Sequence, residues 1–429
     1  MKTRSIFSII VILMMAISTK AQVNEPSPLD TLTAYTSKLS STLDKFQKLK
    51  ISGYIQAQYQ KADTAGISSM AGGNFPTNSD NIFKVRRGRL KFQHTGDYSQ
   101  FVVQFDITEK GMGIKDAYAK FTDPLINVFS ITSGVFNRPF GYEIGYSSSK
   151  RESPERSRII QTLFPGERDL GAMLTIQAPK ASPWHFLKLD AGIFAGNGTQ
   201  SEFDNGKDII GRLGIERNTR NEKMKYGLGV SYYNGRVYQG TNNLFEMNNA
   251  GTSAAFSKID ADSIPGTLLK REYLGVDAQF NLESFLGITS VMAEYVSGTQ
   301  PSALKSNASP SKSIPDYDTY LRNVSGAYVY FIHSIAGTRH SIIAKYDFFD
   351  PNTKVKGDEI GMKDSGQTAT NSADLQYTTL GLGWICAINS NTRMTLYYDI
   401  VTNETSSNLS GYSKDLKDNV ITLRLQYKF

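Results

Sequence analysis

Apolar and polar residues alternate along most of this chain. In residues 419–429, apolar side chains occupy every odd position from Ile421 to Phe429, and polar side chains occupy the even positions between them. Alternation with a period of two residues indicates a β-strand with one apolar face. A half-buried strand of a water-soluble protein alternates in the same way. A last strand that ends on an aromatic residue is instead characteristic of outer-membrane barrels.

The same alternation, together with turn residues, predicts sixteen strands. Their predicted ranges are 50–60, 82–96, 98–107, 114–122, 126–135, 169–178, 185–196, 208–218, 223–234, 268–281, 286–297, 318–334, 339–350, 375–388, 392–402 and 419–429. The apolar faces predict an outer surface that contacts lipid, and the polar faces predict a wet interior. The predicted fold is therefore all-β, a 16-stranded antiparallel transmembrane β-barrel preceded by a short N-terminal helix.

The lengths of the connections support a membrane barrel over a soluble sandwich. Every second connection is short, whereas most of those between them are long. The long ones are 61–81, 136–168, 235–267, 298–317, 351–374 and 403–417. Transmembrane barrels alternate short periplasmic turns with longer external loops over an even number of strands. A soluble sandwich has no physical reason to sort its loops in this way.

Two segments precede the predicted barrel, which spans residues 50–429. Residues 1–21 combine a basic start, a short apolar run and a small-residue cleavage site, so they are predicted to be a signal peptide. Residues 22–49 show a heptad pattern of about three repeats and a capping box, which predict a periplasmic helix. This helix could form a coiled coil between protomers, or it could lie singly against the mouth of the barrel.

Composition narrows the class of protein further. Without the predicted signal peptide, 408 residues remain with a formal charge of +4, and no strongly basic block suggests a nucleic-acid partner. The single cysteine, Cys386, cannot form an internal disulfide bond. No apolar stretch beyond the signal peptide is long enough for a membrane-spanning helix. A closed barrel is the other structure that satisfies its backbone hydrogen bonds inside lipid.

The sequence lacks the short motifs of common enzymes, and no cofactor or metal is predicted. It contains no nucleophile elbow, zinc-protease motif, Walker loop or Cys-x-x-Cys. The four histidines are His94, His185, His333 and His340, all at predicted periplasmic ends of strands. A barrel lipase would need serine and histidine together at the external rim, so the chain is predicted not to be an enzyme.

Basic residues are the candidates for function. Arg87, Arg89 and Lys91 share one face of the second predicted strand, at intervals of about 6.8 Å along the lumen. They could attract anions, or they could pair with carboxylates of the next strands, notably Asp106 and Asp116.

The long connection 136–168 carries the second basic set. It contains Arg138, Lys150, Arg151, Arg156, Arg158 and Arg168 against Glu143, Glu152, Glu155 and Glu167, a net charge of +2. If the loop folds into the lumen, its arginines present several hydrogen-bond donors each and match phosphate or carboxylate groups. The alternative is a solvated external loop of mixed charge.

Several motifs resemble the phosphate-selective porin O and P family. They are Gly134-Val-Phe-Asn-Arg-Pro-Phe-Gly141, Glu155-Arg156-Ser157, Arg168-Asp169-Leu170-Gly171, Gly96-Asp-Tyr, Phe105-Asp106 and Lys115-Asp116-Ala117-Tyr118. The clear similarity covers residues 82–175. The resemblance implies a trimeric outer-membrane channel with an arginine ladder in the lumen and an anion-binding constriction in the third loop.

The resemblance assigns family-typical roles in the loop to Arg138, Arg156 and Arg168, whereas Arg87 and Arg89 correspond to family residues only in place. The acidic residues beside the loop arginines depart from the family pattern and weaken the case for strong phosphate selectivity. The sequence thus predicts a porin of the Gram-negative outer membrane, in contact with lipid and assembled as a homotrimer. It would pass small solutes with a preference for anions such as phosphate. The alternative is a non-conducting barrel that binds partners through its long external loops.

Overall fold

The computed structural model describes residues 32–33, 35–40, 47–248, 253–259, 265–310 and 314–429. The predicted signal peptide lies outside the described residues, as does much of segment 22–49. Residues 32–33 and 35–40 are helical, in agreement with the predicted N-terminal helix, whose association with other protomers stays a prediction. Among the described residues, no helix has the length and apolar character needed to cross a membrane.

Eighteen strands and one six-residue helix, α1 (Arg158–Leu163), make up most of the remaining described structure. The first nine strands are β1 (Leu49–Ala62), β2 (Asn81–Thr95), β3 (Ser99–Thr108), β4 (Gly111–Thr122), β5 (Phe129–Asn137), β6 (Arg168–Gln177), β7 (Leu187–Phe194), β8 (Asp208–Asn218) and β9 (Met224–Tyr238). The others are β10 (Leu244–Asn248), β11 (Ala255–Lys258), β12 (Leu268–Ser284), β13 (Gly287–Ser302), β14 (Thr319–Ile335), β15 (His340–Asp350), β16 (Tyr377–Ala387), β17 (Thr392–Asn403) and β18 (Val420–Lys428).

Sixteen of these strands close into an antiparallel barrel. Neighbours in sequence pair with one another, β9 pairs with β12 across a long loop, and β1 pairs with β18 from Tyr54 opposite Lys428 to Ala62 opposite Val420. Each predicted strand overlaps one barrel strand, so the predicted architecture is confirmed. The strands β10 and β11 were not predicted. They form a hairpin within the loop between β9 and β12, and β10 pairs in parallel with β14.

The loops follow the predicted parity. The connections at one end of the barrel are short, and the longest at the other end include 63–80, 138–167, 239–267, 351–376 and 404–419. The connection between β3 and β4 is an exception at the external end, since only residues 109–110 separate these strands.

The outer wall is apolar, as the alternation predicted. Outward residues such as Leu380, Leu382, Leu423 and Leu425 are each exposed by about 40% or more. A closed barrel satisfies all the backbone hydrogen bonds that lipid cannot satisfy, and an apolar outer wall suits contact with acyl chains. The barrel is therefore a protein of the Gram-negative outer membrane.

The interior differs from the prediction of a uniformly wet lumen. One side of the lumen is filled by a hydrophobic cluster in which loop residues pack against inward residues of the wall. The loop contributes Phe140, Ile144, Ile159, Ile160, Leu163 and Phe164, and the wall contributes Phe136, Phe194, Ile210, Tyr233, Tyr273, Val296, Val324 and Phe349. The polar alternation on the inner face is broken at these wall positions because they contact a loop rather than water.

Candidate functional site

The third external connection, residues 138–167, folds into the lumen and is called the lumen loop below. It touches the inner wall on several sides. The backbone N–H of Gly141 donates to Ser231 Oγ at 2.9 Å, and Gln56 Nε2 donates to the Ser148 carbonyl at 2.9 Å. The backbone N–H of Arg158 donates to Asp347 Oδ2 at 2.8 Å. The loop therefore spans the channel, and the alternative of a solvated external loop is excluded.

Glu155 is the most heavily bonded anchor of the lumen loop. Its carboxylate accepts two hydrogen bonds from Arg86, at 2.8 and 2.9 Å, and one from Arg87 at 2.6 Å. Arg424 Nη2 approaches it at 3.3 Å and Arg151 at 3.9 Å. Burial alone would raise the pKa of the Glu155 carboxyl, but the surrounding guanidinium groups hold that pKa well below its usual range.

Neutral oxygens complete this arginine cluster. The Pro154 carbonyl accepts hydrogen bonds from Arg87, Arg151 and Arg424, and Gln58 Oε1 accepts from Arg424 Nε at 2.8 Å. Four arginines thus surround one carboxylate. Sequence reasoning identified Arg87 and Arg151 but missed Arg86, because strict alternation would turn Arg86 away from the lumen. Both consecutive side chains nevertheless reach Glu155 in the structure.

The acids that the sequence analysis named as alternative partners do pair with arginines. Arg89 Nε lies 3.5 Å from Asp106 Oδ2, and Arg168 Nε donates to Asp116 Oδ1 at 2.8 Å. Arg138 Nε donates to Asp169 Oδ2 at 3.0 Å, and both side chains are buried. These pairs offset much of the positive charge that the arginine pattern places along the lumen.

Arg156 and Glu167 tie the two ends of the loop together. Arg156 forms an ion pair with Glu167 and donates to the carbonyls of Glu143, Ile144 and Tyr146. Burial lowers the pKa of Arg156 to about 10, although Glu167 opposes the shift. Glu167 also accepts from Lys115 Nζ at 2.9 Å.

Arg158 differs from the other loop arginines. Its guanidinium group stacks over the ring of Tyr377, with Cζ 3.9 Å from the ring centroid, and Nε is buried without a hydrogen-bond partner. The guanidinium group forms no ion pair with any residue that the structure describes. Arg89, Arg138 and Arg151 also have a buried nitrogen without a hydrogen-bond partner, but each of them forms an ion pair with a carboxylate, whereas Arg158 does not within the described structure.

Two glutamates hold the opposite side of the lumen loop. Glu143 accepts from the Ser157 backbone N–H at 2.9 Å and from Tyr330 Oη at 2.8 Å. Glu294, on β13, accepts from the backbone N–H groups of Tyr142 and Glu143, both at 3.1 Å. Two carboxylates, together with Arg156, therefore hold this end of the loop.

Three spaces remain around the lumen loop. A vestibule of about 700 Å³ lies against the inner faces of β2 to β8, and its lining includes Lys91, Lys120, Lys188 and Arg212. A neck of about 20 Å³ lies between the loop and the inner wall of β15 to β17. An outer pocket of about 250 Å³ lies beside Tyr377 and Tyr412 and shares Arg158 with the neck. The narrowest of these spaces admits about one water-sized group.

The histidines lie at the short-turn end, where the sequence analysis placed them. His333 Nδ1 is 2.9 Å from Thr289 Oγ1, and His340 stacks on Trp384. No group of three or more metal-ligating side chains occurs in the described part of the chain.

Comparisons with known proteins identify the fold. No family model and no curated protein matches the sequence. Among solved structures, Salmonella typhi OmpF in complex with daunomycin is 13% identical with a TM-score of 0.52, covering 89% of this chain and 97% of that one. The outer membrane channel DcaP of Acinetobacter baumannii is 11% identical with a TM-score of 0.50, at the same coverage of both chains.

At these identities the likeness concerns the fold alone. Neither structure points to the phosphate-selective porin O and P family, so that resemblance rests on the sequence motifs. The closed sixteen-stranded wall, its apolar outer face and these structural neighbours together establish a porin-like barrel of the Gram-negative outer membrane.

Proposed function

We propose that this protein is a passive diffusion channel for small polar solutes, assembled as a homotrimer and with a preference for anions such as phosphate. The lumen loop carries the proposal, because it narrows the barrel while leaving polar space on both of its sides. The outer pocket, the neck and the vestibule provide the spaces that a solute would cross. No covalent step is needed, so the proposed function is not enzymatic.

The charge of the vestibule supports the preference for anions. Its lining holds five basic and two acidic residues: Lys91, Lys120, Arg138, Lys188 and Arg212, with Asp116 and Asp190. The lining itself therefore carries a formal excess of +3. Arg168, Asp169 and Asp277 lie outside the lining and form ion pairs with Asp116, Arg138 and Arg212. An excess of positive charge between low-dielectric walls raises the local concentration of anions.

The predicted arginines take a second role in the proposal. Ion pairs with carboxylates hold the wall and the lumen loop in place through Arg87, Arg138, Arg156 and Arg168. An anion that binds one of these arginines would have to share it with the carboxylate that is already there. Several weak contacts let an ion enter and leave, whereas one strong site would trap it. This expectation fits a general anion preference better than tight selection of phosphate.

Replacement of Lys91 and Lys120 by glutamine tests the proposed anion preference. We expect the anion-to-cation permeability ratio to fall severalfold, because the vestibule lining would lose two of its five basic side chains. The measurement is the reversal potential of the purified protein in planar bilayers under gradients of potassium chloride and potassium phosphate. The control is Lys223→Gln, which removes one lysine from a short turn outside the vestibule. An unchanged reversal potential in the double variant would contradict the preference.

The neck favours one alternative function. A passage of about 20 Å³ could remain shut, in which case the protein would be a non-conducting barrel that binds partners through its external loops. The same bilayer recording separates the two functions. A channel gives stepwise conductance, whereas a closed barrel gives none even though it inserts into the membrane.

A further inference from the structure

Where the outer pocket meets the neck, two cavities share the same charged residues. Arg158 and Asp418 line both spaces. Asp418 is only 7% exposed and its Oδ1 atom has no hydrogen-bond partner. Arg158 Nε is also buried and unpartnered. A positive and a negative group, both with unused hydrogen-bonding capacity, therefore face the same junction.

The inner side of this junction is acidic. Asp347, on β15, is 4% exposed, and its Oδ1 atom is unpartnered although Oδ2 accepts from Arg158 N–H and lies 3.2 Å from Lys345 Nζ. The carboxylate of Asp399, on β17, makes no hydrogen bond or ion pair to any residue in the described ranges. Gly381 lies between Lys345 and Asp399 in the strand register. Because glycine has no side chain, the ring of Tyr397 lies directly against Gly381.

The charges are separated along the passage. The neck is lined by four acids, Glu155, Asp347, Asp399 and Asp418, and by three bases, Arg156, Arg158 and Lys345. The outer pocket is lined by two bases, Arg158 and Lys417, and by one acid, Asp418. Counted together, four bases face four acids. Since four arginines compensate Glu155, the acidic character of the inner side comes from Asp347, Asp399 and Asp418, whereas the outer side has an excess of positive charge.

This arrangement would bind a solute with a single charge only weakly, and weak binding is compatible with passage through the proposed channel. An anion entering the neck would meet the unpartnered carboxylates, and a cation in the outer pocket would meet Arg158 and Lys417. A chelated metal ion is also disfavoured, since the described carboxylates do not form a metal-ligating group. A neutral solute with a positive and a negative end would satisfy both sides.

We propose that the junction binds zwitterionic solutes of the amino-acid type, with the ammonium group toward Asp399 and Asp418 and the carboxylate toward Arg158. The outer pocket of about 250 Å³ would hold the side chain against Tyr377 and Tyr412. The neck, which admits one water-sized group, would receive the ammonium end. Charge-assisted hydrogen bonds to both ends would supply most of the specificity.

Protonation of the carboxylates at acidic pH is expected to weaken the binding of a zwitterion at the junction. Burial raises the pKa of Asp418 to about 6, while Arg158 opposes the shift and Asp415 and Asp63 favour it. The other charged groups around the junction are Glu155, Arg156, Asp347, Asp399, Lys345 and Lys417. A protonated Asp418 no longer attracts an ammonium group, so zwitterion binding is expected to weaken as the pH falls below about 6.

The test compares leucine with two analogues that each lack one charge. These probes are 4-methylpentanoate, which lacks the ammonium group, and 3-methylbutylamine, which lacks the carboxylate. Titration calorimetry on the purified full-length protein in detergent is expected to show that leucine binds about tenfold more tightly than either analogue. A tenfold difference in affinity corresponds to about one charge-assisted hydrogen bond. Equal binding of the three probes would overturn the proposal, and this comparison does not depend on any variant folding correctly.

Two substitutions assign the ends of the ligand. Asp399→Asn is expected to weaken leucine about tenfold without weakening 4-methylpentanoate, whereas Arg158→Gln is expected to weaken leucine without weakening 3-methylbutylamine. The control is Glu202→Gln, which removes a carboxylate paired with Lys207 in a different external loop. A purely structural role would weaken all probes alike, and that result would also overturn the assignment.

The inference rests on the proposed channel for the route of the solute, but its binding test does not. Leucine binding without any bilayer conductance would refute the channel and leave the junction as a binding site. Conductance with equal binding of the three probes would support the channel and refute the zwitterion site.

Discussion

Replacement of Glu155 by glutamine is expected to release the lumen loop from the wall of the barrel. The substitution preserves the shape of the side chain but removes the one negative charge that Arg86, Arg87, Arg151 and Arg424 share. Buried arginines that lose their counter-charge destabilise the folded state, because they repel one another away from bulk water. Breaking a buried ion pair on one side typically lowers the free energy of unfolding by about 3 to 5 kcal/mol.

Two measurements report the release. The arginines of a loosened loop become substrates for trypsin, so cleavage after Arg156 and Arg158 is expected to accelerate at least tenfold. Single-channel conductance is expected to rise, because a displaced loop widens the passage. Glu202→Gln is the matched control, since its ion pair with Lys207 is exposed and lies outside the lumen. Unchanged cleavage and conductance would mean that neutral acceptors such as the Pro154 carbonyl suffice to hold the arginines.

The sign of the pH dependence follows from the depressed pKa of Glu155. Its stabilising contribution is complete above the unfolded-state pKa of about 4.3 and is lost as the pH falls through the lower folded-state pKa. The difference in unfolding free energy between the wild type and Glu155→Gln should therefore be constant near neutral pH. It should shrink in strong acid, where the wild-type carboxyl also becomes neutral.

The barrel could be predicted from sequence because its signals are local. A period of two residues marks each strand, and the contrast between short and long connections marks the two ends of the barrel. Neither signal requires knowledge of distant contacts. The β10 and β11 hairpin escaped prediction because both strands are short and lie within a long polar connection.

The lumen loop could not be predicted to the same depth because its bonds connect residues far apart in sequence. The arginines could be identified in the sequence. That Arg86 and Arg424 share Glu155 as a partner could not, because this contact depends on how β2, β18 and the loop meet in space. Asp399 and Lys345 were hidden for the same reason. Each is one polar residue on an alternating strand, and the register across Gly381 brings them into one passage.

The apolar residues of the lumen loop indicate that it packs against another part of the protein, which its charged residues alone do not show. Phe140, Ile144, Ile159, Ile160, Leu163 and Phe164 are all buried. An external loop in water would have little reason to carry so many large apolar side chains within thirty residues. Their presence indicates a surface for them to pack against, and the inner wall of the barrel supplies it.

Replacement of Phe140 by alanine tests this second attachment of the lumen loop. The Phe140 ring lies 4.8 Å from that of Phe164 and 6.4 Å from those of Tyr233 and Tyr273, centroid to centroid, and its side chain is almost fully buried. Removing a buried phenylalanine side chain typically costs about 3 to 5 kcal/mol of unfolding free energy, through lost burial and the cavity that remains. The midpoint of urea unfolding is expected to fall accordingly, and trypsin is expected to cleave after Arg158, which precedes Ile159 of the same hydrophobic cluster.

Phe285→Ala is the matched control, since the same side chain is 90% exposed in a short turn. Phe140→Leu should lose much less stability than Phe140→Ala because it keeps most of the buried volume.

Phe140 and Glu155 contact different wall strands and share no partner in the contacts described above. The effects of Phe140→Ala and Glu155→Gln should therefore add nearly fully in the double variant. A double variant no less stable than Glu155→Gln alone would mean that the hydrophobic attachment forms only after the ionic one, so the loop would have one anchor rather than two.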